Sequence, residues 1–321
     1  MALKVFITRD YEGMSDMAYV SLSIDLIRKT NIDGAPFNLG LATGSSPVGL
    51  YKRLAAYQHT FDPSLMETWN LDEYAGLHGK MPADRAAHKE SYYRFMCENL
   101  FSKLEPKLKD HHIPKGYRID AGEMEHAIRK GIETGDVTLV GKDNGKAVIF
   151  SQKCTDEYLR KIDAMNKDYV KSMEDAGGID WWVVGSGEKG HIGFHESGIP
   201  LNNDMFLVQL DENTRRNAKE DGHFGTYEEV PRYAMTVGAG GVARLSRNVM
   251  LLASGERKTE AVAKSLIDPI TDEVPISILQ RYIGREGSDA LYVIDEVAAS
   301  EILGRKKQLA GKGIELTDMR Q

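Results

Sequence analysis

The apolar run Ile179–Val184, which includes Trp181, Trp182 and Val183, stops at Gly185. Gly187 and Gly190 follow, and then His191, His195 and Glu196. A buried strand that ends in a glycine turn, with titratable groups just beyond, is how open α/β sheets build sites at strand carboxyl ends. Glycine lets backbone approach a ligand, and a following histidine and glutamate can move protons. The alternative is a plain strand-to-loop turn whose histidines only satisfy hydrogen bonds.

The same arrangement recurs along the chain. Leu3–Thr8 reads as a strand and Met14–Arg28 as a helix with apolar residues at helical spacing. Phe37–Ala42 reads as a core strand, followed by Thr43, Gly44, Ser45, Ser46 and Pro47 and a helix over Leu50–Tyr57. Ser46 suits the N-cap and Pro47 the first helical position. Strand, small polar loop and helix start form a ready anion site, because free N–H groups and the helix dipole face the ligand. A well-capped crossover helix would read the same way.

In Thr68–Tyr74, Asp72 and Glu73 fall where an extended segment runs out. Such paired carboxylates serve as a general base, a metal ligand or a cap for the next segment. Glu90–Leu100 reads as an amphipathic helix whose aromatic stripe belongs to the core. His111 and His112, a lone pair in a charged loop, do not define a metal site, and none is expected. Asp136–Ser151 contains two β-rich runs around GKDNGK, with Asn144-Gly145 as a hairpin signal. This hairpin interrupts the strand–helix alternation as an insertion at about 123–153 in a single domain spanning 1–321. Thr155–Met173 reads as a helix leading into the central strand.

Further on, Arg215, Arg216 and Lys219 precede a polar stretch, Glu220–Glu229, that reads as a lid or a solvated loop. Asn248–Ala253 is another strand, Ser254–Lys258 opens the next helix, and Ala290–Ile294 is the last strand before a charged C-terminal region. The expected fold is α/β: a modified doubly wound, mostly parallel sheet with helices on both faces, plus the inserted hairpin. Hydroxyls, helix starts and Lys258 point to a phosphate. Asp72, His191 and Glu196 point to proton transfer. No GxxxxGK[ST] or helix-opening GxGxxG suggests a nucleotide.

The net charge of −7 argues against nucleic acid as a partner while leaving room for a small anion. Cys97 and Cys154 are too few for a disulfide framework. The start MALKVFITRDYEGM lacks the pattern of a signal peptide, and no apolar window approaches the ~18 residues of a membrane span. A cytoplasmic, soluble protein is expected.

Together the segments LGLATGSSP, NLDEYAGL, HKESYYRFM, GSGEKGHIGFHE, TVGAGG, LLASGERKTEAV and VPISILQRY resemble the glucosamine-6-phosphate deaminase (isomerase) family. Its superfamily also holds 6-phosphogluconolactonases. The resemblance runs from Leu39 to about Tyr292 and leaves out the insertion. It implies conversion of an amino-sugar 6-phosphate to a ketose phosphate and ammonia, without a cofactor. Asp72 would carry a proton between C2 and C1 of the open-chain sugar. His191 would assist ring opening, oriented by Glu196, while the Thr43–Ser46 loop and Lys258 hold the phosphate. Lys219 stands one residue out of register with the family's lid arginine.

Two departures stand out. Lys189 occupies a position that is commonly acidic or amide in the family, and is a candidate modulator of His191. Residues 197–214 contain no lysine or arginine, which argues against activation by an amino-sugar phosphate. Family members are often hexameric, so a homo-oligomer is expected. A non-catalytic sugar-phosphate sensor on the same scaffold and a phosphosugar lactonase remain as alternatives, and either sugar epimer fits.

Overall fold

A computed structural model describes residues 3–320. Its strands are β1 (Leu3–Thr8), β2 (Phe37–Leu41), β3 (Met66–Asn70), β4 (Asp72–Ala75), β5 (Asp110–His112), β6 (Val137–Val140) and β7 (Lys146–Phe150). They continue with β8 (Ile179–Gly185), β9 (Met205–Gln209), β10 (Tyr233–Val237), β11 (Ser246–Ala253), β12 (Ala290–Asp295) and β13 (Ile314–Asp318). The larger sheet has eight strands in the order β13-β1-β12-β11-β8-β2-β3-β5. Its pairings are parallel throughout. The apolar runs read from sequence are its central strands, because a strand covered on both faces needs apolar side chains on both.

Helices Tyr11–Ile27 and Ser45–Ala56 cover one face, packing Met14, Leu22, Leu50 and Leu54 against Leu39, Leu41 and Val183. The other face, with Trp182, Val184 and Leu251, is covered by Thr259–Ile267 and Pro275–Tyr282 and by the end of the Glu157–Asp175 helix. Each large side chain fully buried this way contributes about 1.5–3 kcal/mol.

A second sheet of five strands, β4-β10-β9-β7-β6, is antiparallel and was not expected from the sequence. Its strands β9 and β10 lie in stretches to which the sequence assigned no element, because such short runs carry little periodicity. The inserted hairpin is present as β6 and β7, and it forms one edge of this sheet. TWNLDEY is not one extended unit. It breaks at Leu71, whose N–H donates to Leu41 O (2.8 Å) in one sheet and whose carbonyl accepts from Val237 N (2.7 Å) in the other. Asp72 therefore stands at the junction of the sheets. The C-terminal region, read only as charged, supplies β13 beside β1.

Candidate active site

Strands β2 and β8 are neighbours, and from them the chain builds outward in opposite directions, toward β3 and β5 on one side and β11 and β12 on the other. Such a switch point leaves a crevice at the carboxyl ends of the strands. A cavity of about 260 Å³ lies there, lined by Thr43–Pro47, Asp72, Tyr92, Ser186, His191, Asp221, His223 and Lys258. Larger cavities of about 440 and 460 Å³ lie near His112, at the sheet edge, and near Arg215, and neither is lined by the ends of β2 and β8.

One end of the cavity is built for an anion. The helix after β2 begins at Ser45, with Gly44 as its cap at φ 108°, a left-handed conformation that favours glycine. The expected cap at Ser46 is thus two residues late, and Ser45, Ser46 and Pro47 fill the first turn. Proline fits because first-turn N–H groups have no intrahelical acceptor. Tyr11 fixes this turn: its hydroxyl donates to Ser45 O and accepts from Gly49 N, each at 2.8 Å. Lys258 reaches the cavity from the turn that follows β11. Asp295, at the end of β12, holds that turn by accepting from Ser254 Oγ at 2.6 Å and from Gly255 N at 3.0 Å. Burial lowers the Lys258 pKa, while Glu188 pulls it upward. The sequence reading missed both supports, Tyr11 and Asp295, which lie far from the loops they hold.

The other end carries proton-transfer groups. Asp72 is buried, and its Oδ1 has no hydrogen-bond partner among the described residues. Burial raises its pKa well above the usual range, and neighbouring Glu73 adds to this. Glu73 has the capping role left open by the sequence. Its carboxylate accepts from Tyr92 N and Tyr93 N, both at 3.0 Å, and from Ser91 Oγ at 2.8 Å, holding the start of the Tyr92–Asn99 helix. Tyr92 itself lines the cavity, so one residue of the aromatic stripe is not purely core.

His191 packs its ring over Gly187, where an added Cβ would overlap the imidazole at Nε2. Only glycine allows this. His191 Nδ1 lies 3.7 Å from Glu196 Oε2, and the imidazole is 28% exposed, with the cavity on its open side. Burial lowers its pKa to about 4, helped by the charge of Lys258 and then by His195 and Lys189. Glu196 is raised to about 7 by burial, against hydrogen bonds from Thr214 and the Asp211 N–H. His195 follows the structural alternative. It is fully buried, its Nδ1 accepts from Ala239 N at 3.0 Å, and its Nε2 meets Ile199 O at 3.0 Å.

Of the two readings of the cationic stretch, a lid and a solvated loop, Lys219 follows the second and Arg215 neither. Arg215 is buried and donates to Tyr227 O (3.1 Å) and Val230 O (3.0 Å), so it braces the segment from below. Lys219 is exposed and does not line the cavity. Asp221 and His223 line it instead, and only their position beside the cationic cluster hinted at them. Arg257 bridges Asp221 and Glu188 at 3.5 Å each, and His223 meets Glu90 at 3.0 Å. Lys189 is exposed and faces neighbouring clefts rather than this cavity. Away from the cavity, Glu67, Asp110 and His112 come close enough for a metal, though Lys109 pairs with Glu67 at 2.7 Å.

No protein-family model matches the chain. Among individual proteins, it is 33% identical over 303 residues to the glucosamine-6-phosphate deaminase of Clostridioides difficile (strain 630), covering 94% of this chain and 97% of that one. It is 31% identical over 301 residues to the same enzyme of Clostridium botulinum (strain Alaska E43 / Type E3), with 93% and 96% covered. Among solved structures, a monomeric glucosamine-6-phosphate deaminase superposes with a TM-score of 0.67 at 27% identity, over 93% of this chain and 99% of that one. The 6-phosphogluconolactonase of Trypanosoma brucei shares the fold at 14% identity, with a TM-score of 0.56 over 94% and 98%.

Proposed function

The chain belongs to the glucosamine-6-phosphate deaminase family, and from that premise we propose how its cavity carries out the reaction. The protein is a deaminating aldose–ketose isomerase that converts a hexosamine 6-phosphate to a ketohexose 6-phosphate and ammonia. The observation that carries the assignment of roles is the meeting, in one cavity, of an anion-binding end and a buried carboxyl.

The 6-phosphate sits against the first-turn N–H groups and hydroxyls of Ser45 and Ser46, opposite the Lys258 ammonium, with Thr43 and Gly44 shaping the loop. His191 takes the anomeric hydroxyl proton as the ring opens, with Glu196 orienting its Nδ1 side. Asp72 removes the proton from C2, giving an enolamine, and returns it to C1. The resulting ketose imine adds water and releases ammonia. A raised pKa suits Asp72 to this two-way transfer, because acid and base forms then lie closer in energy near neutral pH.

Lys219 has no assigned role in phosphate binding, because its exposed position is outside the lining. For the described residues, no helix is long and apolar enough to cross a membrane. We take the small phosphorylated amino sugar as the partner, with nucleic acid disfavoured by the net charge of −7.

Ammonia release should be measured with glucosamine 6-phosphate, galactosamine 6-phosphate and the unphosphorylated amino sugars, with 6-phosphogluconolactone hydrolysis as a separate arm. Turnover of at least one hexosamine 6-phosphate is expected, with little from the unphosphorylated sugars. Lactone hydrolysis without ammonia release from any amino sugar would overturn the reading.

A further inference from the structure

The inserted hairpin is absent from the segments that carry the family resemblance, yet its tip ends at the proton-transfer pair. Strand β7 pairs with β9 so that Lys146 stands opposite Gln209. This register brings the preceding residue, Gly145, abreast of Asp211 and Glu196. A Cβ added to Gly145 would lie 2.7 Å from Glu196 Cβ, 2.8 Å from its Cγ and 3.5 Å from Asp211 Cβ. The hairpin signal Asn144-Gly145 thus has a different meaning from the one sequence suggests. The loop is longer than a two-residue turn, and Gly145 is absent from the glycines with positive φ. Its small size serves close packing on the glutamate.

The tip is tethered on its other side. Lys142 N donates to Gly198 O at 3.0 Å, and Lys142 Nζ pairs with Asp272 at 2.7 Å. Lys146 Nζ closes the turn on Gly141 O at 2.6 Å. From the tip, Ala147 continues into the apolar cluster that holds Phe194 and Ile199, which flank the His195–Glu196 segment.

We propose that the 141–145 turn is a working part of the active site, a wall that keeps the Glu196 carboxyl out of bulk water and aligned with His191, with Gly145 as its positioning residue. The mechanism follows from what faces Glu196. His191 and Lys189 come from its own loop, and Asp211 and Thr214 from the segment after β9. Glu188 and Asn217 line the small cleft shared with His191 and Glu196. The turn brings Gly145 to the carboxyl's stem, while its charged residues Lys142 and Asp143 are exposed and lie toward the Asp272–Glu273 side. None of the tip's charged groups forms an ion pair with Glu196, so the turn acts by excluding solvent. With the wall intact Glu196 is 4% exposed, and this burial is the main cause of its raised pKa.

The inference rests on Glu196 serving His191 in the proposed reaction, and the test separates the two. In protein labelled with ¹³C at the glutamate carboxyl carbons, the Glu196 signal is assigned by its loss in Glu196→Gln, then titrated in wild type, Gly145→Ala, Lys142→Ala and Lys153→Ala. Gly145→Ala is expected to move the titration midpoint downward by at least one pH unit. It should also lower kcat about tenfold or more with KM within twofold, because a displaced catalytic group costs rate while the phosphate end is untouched. Lys142→Ala, which cuts the exposed tether, should shift the midpoint the same way by less, and it carries the test if Gly145→Ala does not fold. Lys153→Ala, at an exposed position beyond β7 and outside the turn, should change nothing. An unmoved Glu196 midpoint in both Gly145→Ala and Lys142→Ala would overturn the wall. Absence of ammonia release by wild type would overturn the functional reading, while the titration would still decide whether the turn sets the Glu196 environment.

Discussion

His191 Nδ1 and Glu196 Oε2 stand 3.7 Å apart, and burial drives their proton affinities in opposite directions, to about 4 for the imidazole and about 7 for the carboxyl. Between those values the pair is uncharged, with the proton on Glu196. As pH rises through 7, Glu196 ionises and can accept a hydrogen bond from Nδ1–H, which fixes the tautomer that leaves Nε2 free as the base. The acidic limb of kcat/KM should therefore fall near pH 7, set by Glu196 rather than by the histidine. In Glu196→Gln that limb should move to lower pH while kcat drops about 10²-fold, the lower range for a group that assists a general base. A pH–rate profile of both proteins checks this. A limb that stays near pH 7 in Glu196→Gln would assign it to another group.

Asp72→Asn should leave sugar-phosphate affinity within a few-fold while reducing turnover by roughly 10²–10⁴-fold, the usual worth of a positioned acid–base group. The substitution keeps the shape of a residue that is 4% exposed and removes only its ability to exchange a proton. Hydrogen–deuterium exchange at C2 in deuterated water gives a second readout. Washout at the wild-type rate would exclude Asp72 as the base.

Much of this was legible because the central strands are continuous apolar runs that end in small polar residues. Ile179–Gly185 and Ser246–Ala253 needed only pattern, and Lys258 could be placed from its distance past a strand. What stayed hidden depends on contacts between distant segments. Asp295 supports the Lys258 turn from across 40 positions of sequence. Strands β9 and β10 are short and fully specified only by pairing with each other and with β4 and β7. Arg215 looked like a lid cation because sequence shows charge but not the Tyr227 and Val230 carbonyls that bury it.

Lys258 has two separable effects. As phosphate partner, its loss in Lys258→Ala should weaken binding by about 1.5–3 kcal/mol, the scale of a charge-assisted hydrogen bond, and should hardly alter binding of the unphosphorylated sugar. Equal losses for both ligands would remove it from the phosphate.

As a neighbouring charge, Lys258 ranks ahead of Lys189 among the influences that lower the His191 pKa. Removing either charge should raise that pKa, since a nearby cation disfavours the imidazolium. The rise should be larger for Lys258→Met than for Lys189→Met, and Lys189→Asp should move the acidic limb of the pH–rate profile only slightly. NMR titration of the His191 ring protons measures the order. A larger change from the Lys189 variant would make that exposed lysine the dominant modulator.

His195 gives a stability prediction independent of catalysis. Fully buried, it uses Nδ1 to accept from Ala239 N at 3.0 Å and Nε2 to bond Ile199 O, an arrangement that requires the neutral ring. Its pKa falls from 6.5 to about 4, chiefly through burial, partly offset by the bond to Ile199. In the window between those values the unfolded chain binds a proton that the folded chain refuses, so stability from this group is present at pH 7 and is lost as pH falls toward 4. The full loss is about 3 kcal/mol, because a tenfold drop in proton affinity corresponds to ~1.4 kcal/mol. His195→Gln should be less stable than wild type at pH 7, because it cannot reproduce both bonds. Yet it should lose about 2–3 kcal/mol less than wild type on acidification, because its amide does not titrate. His191 adds a parallel trend, slightly weaker in the variant because His195 helps to lower its pKa, and Asp72 and Glu196 opposing ones, so the difference between the two urea-unfolding series reports chiefly on His195. Parallel pH dependence in the two series would show that His195 does not resist protonation in the folded protein.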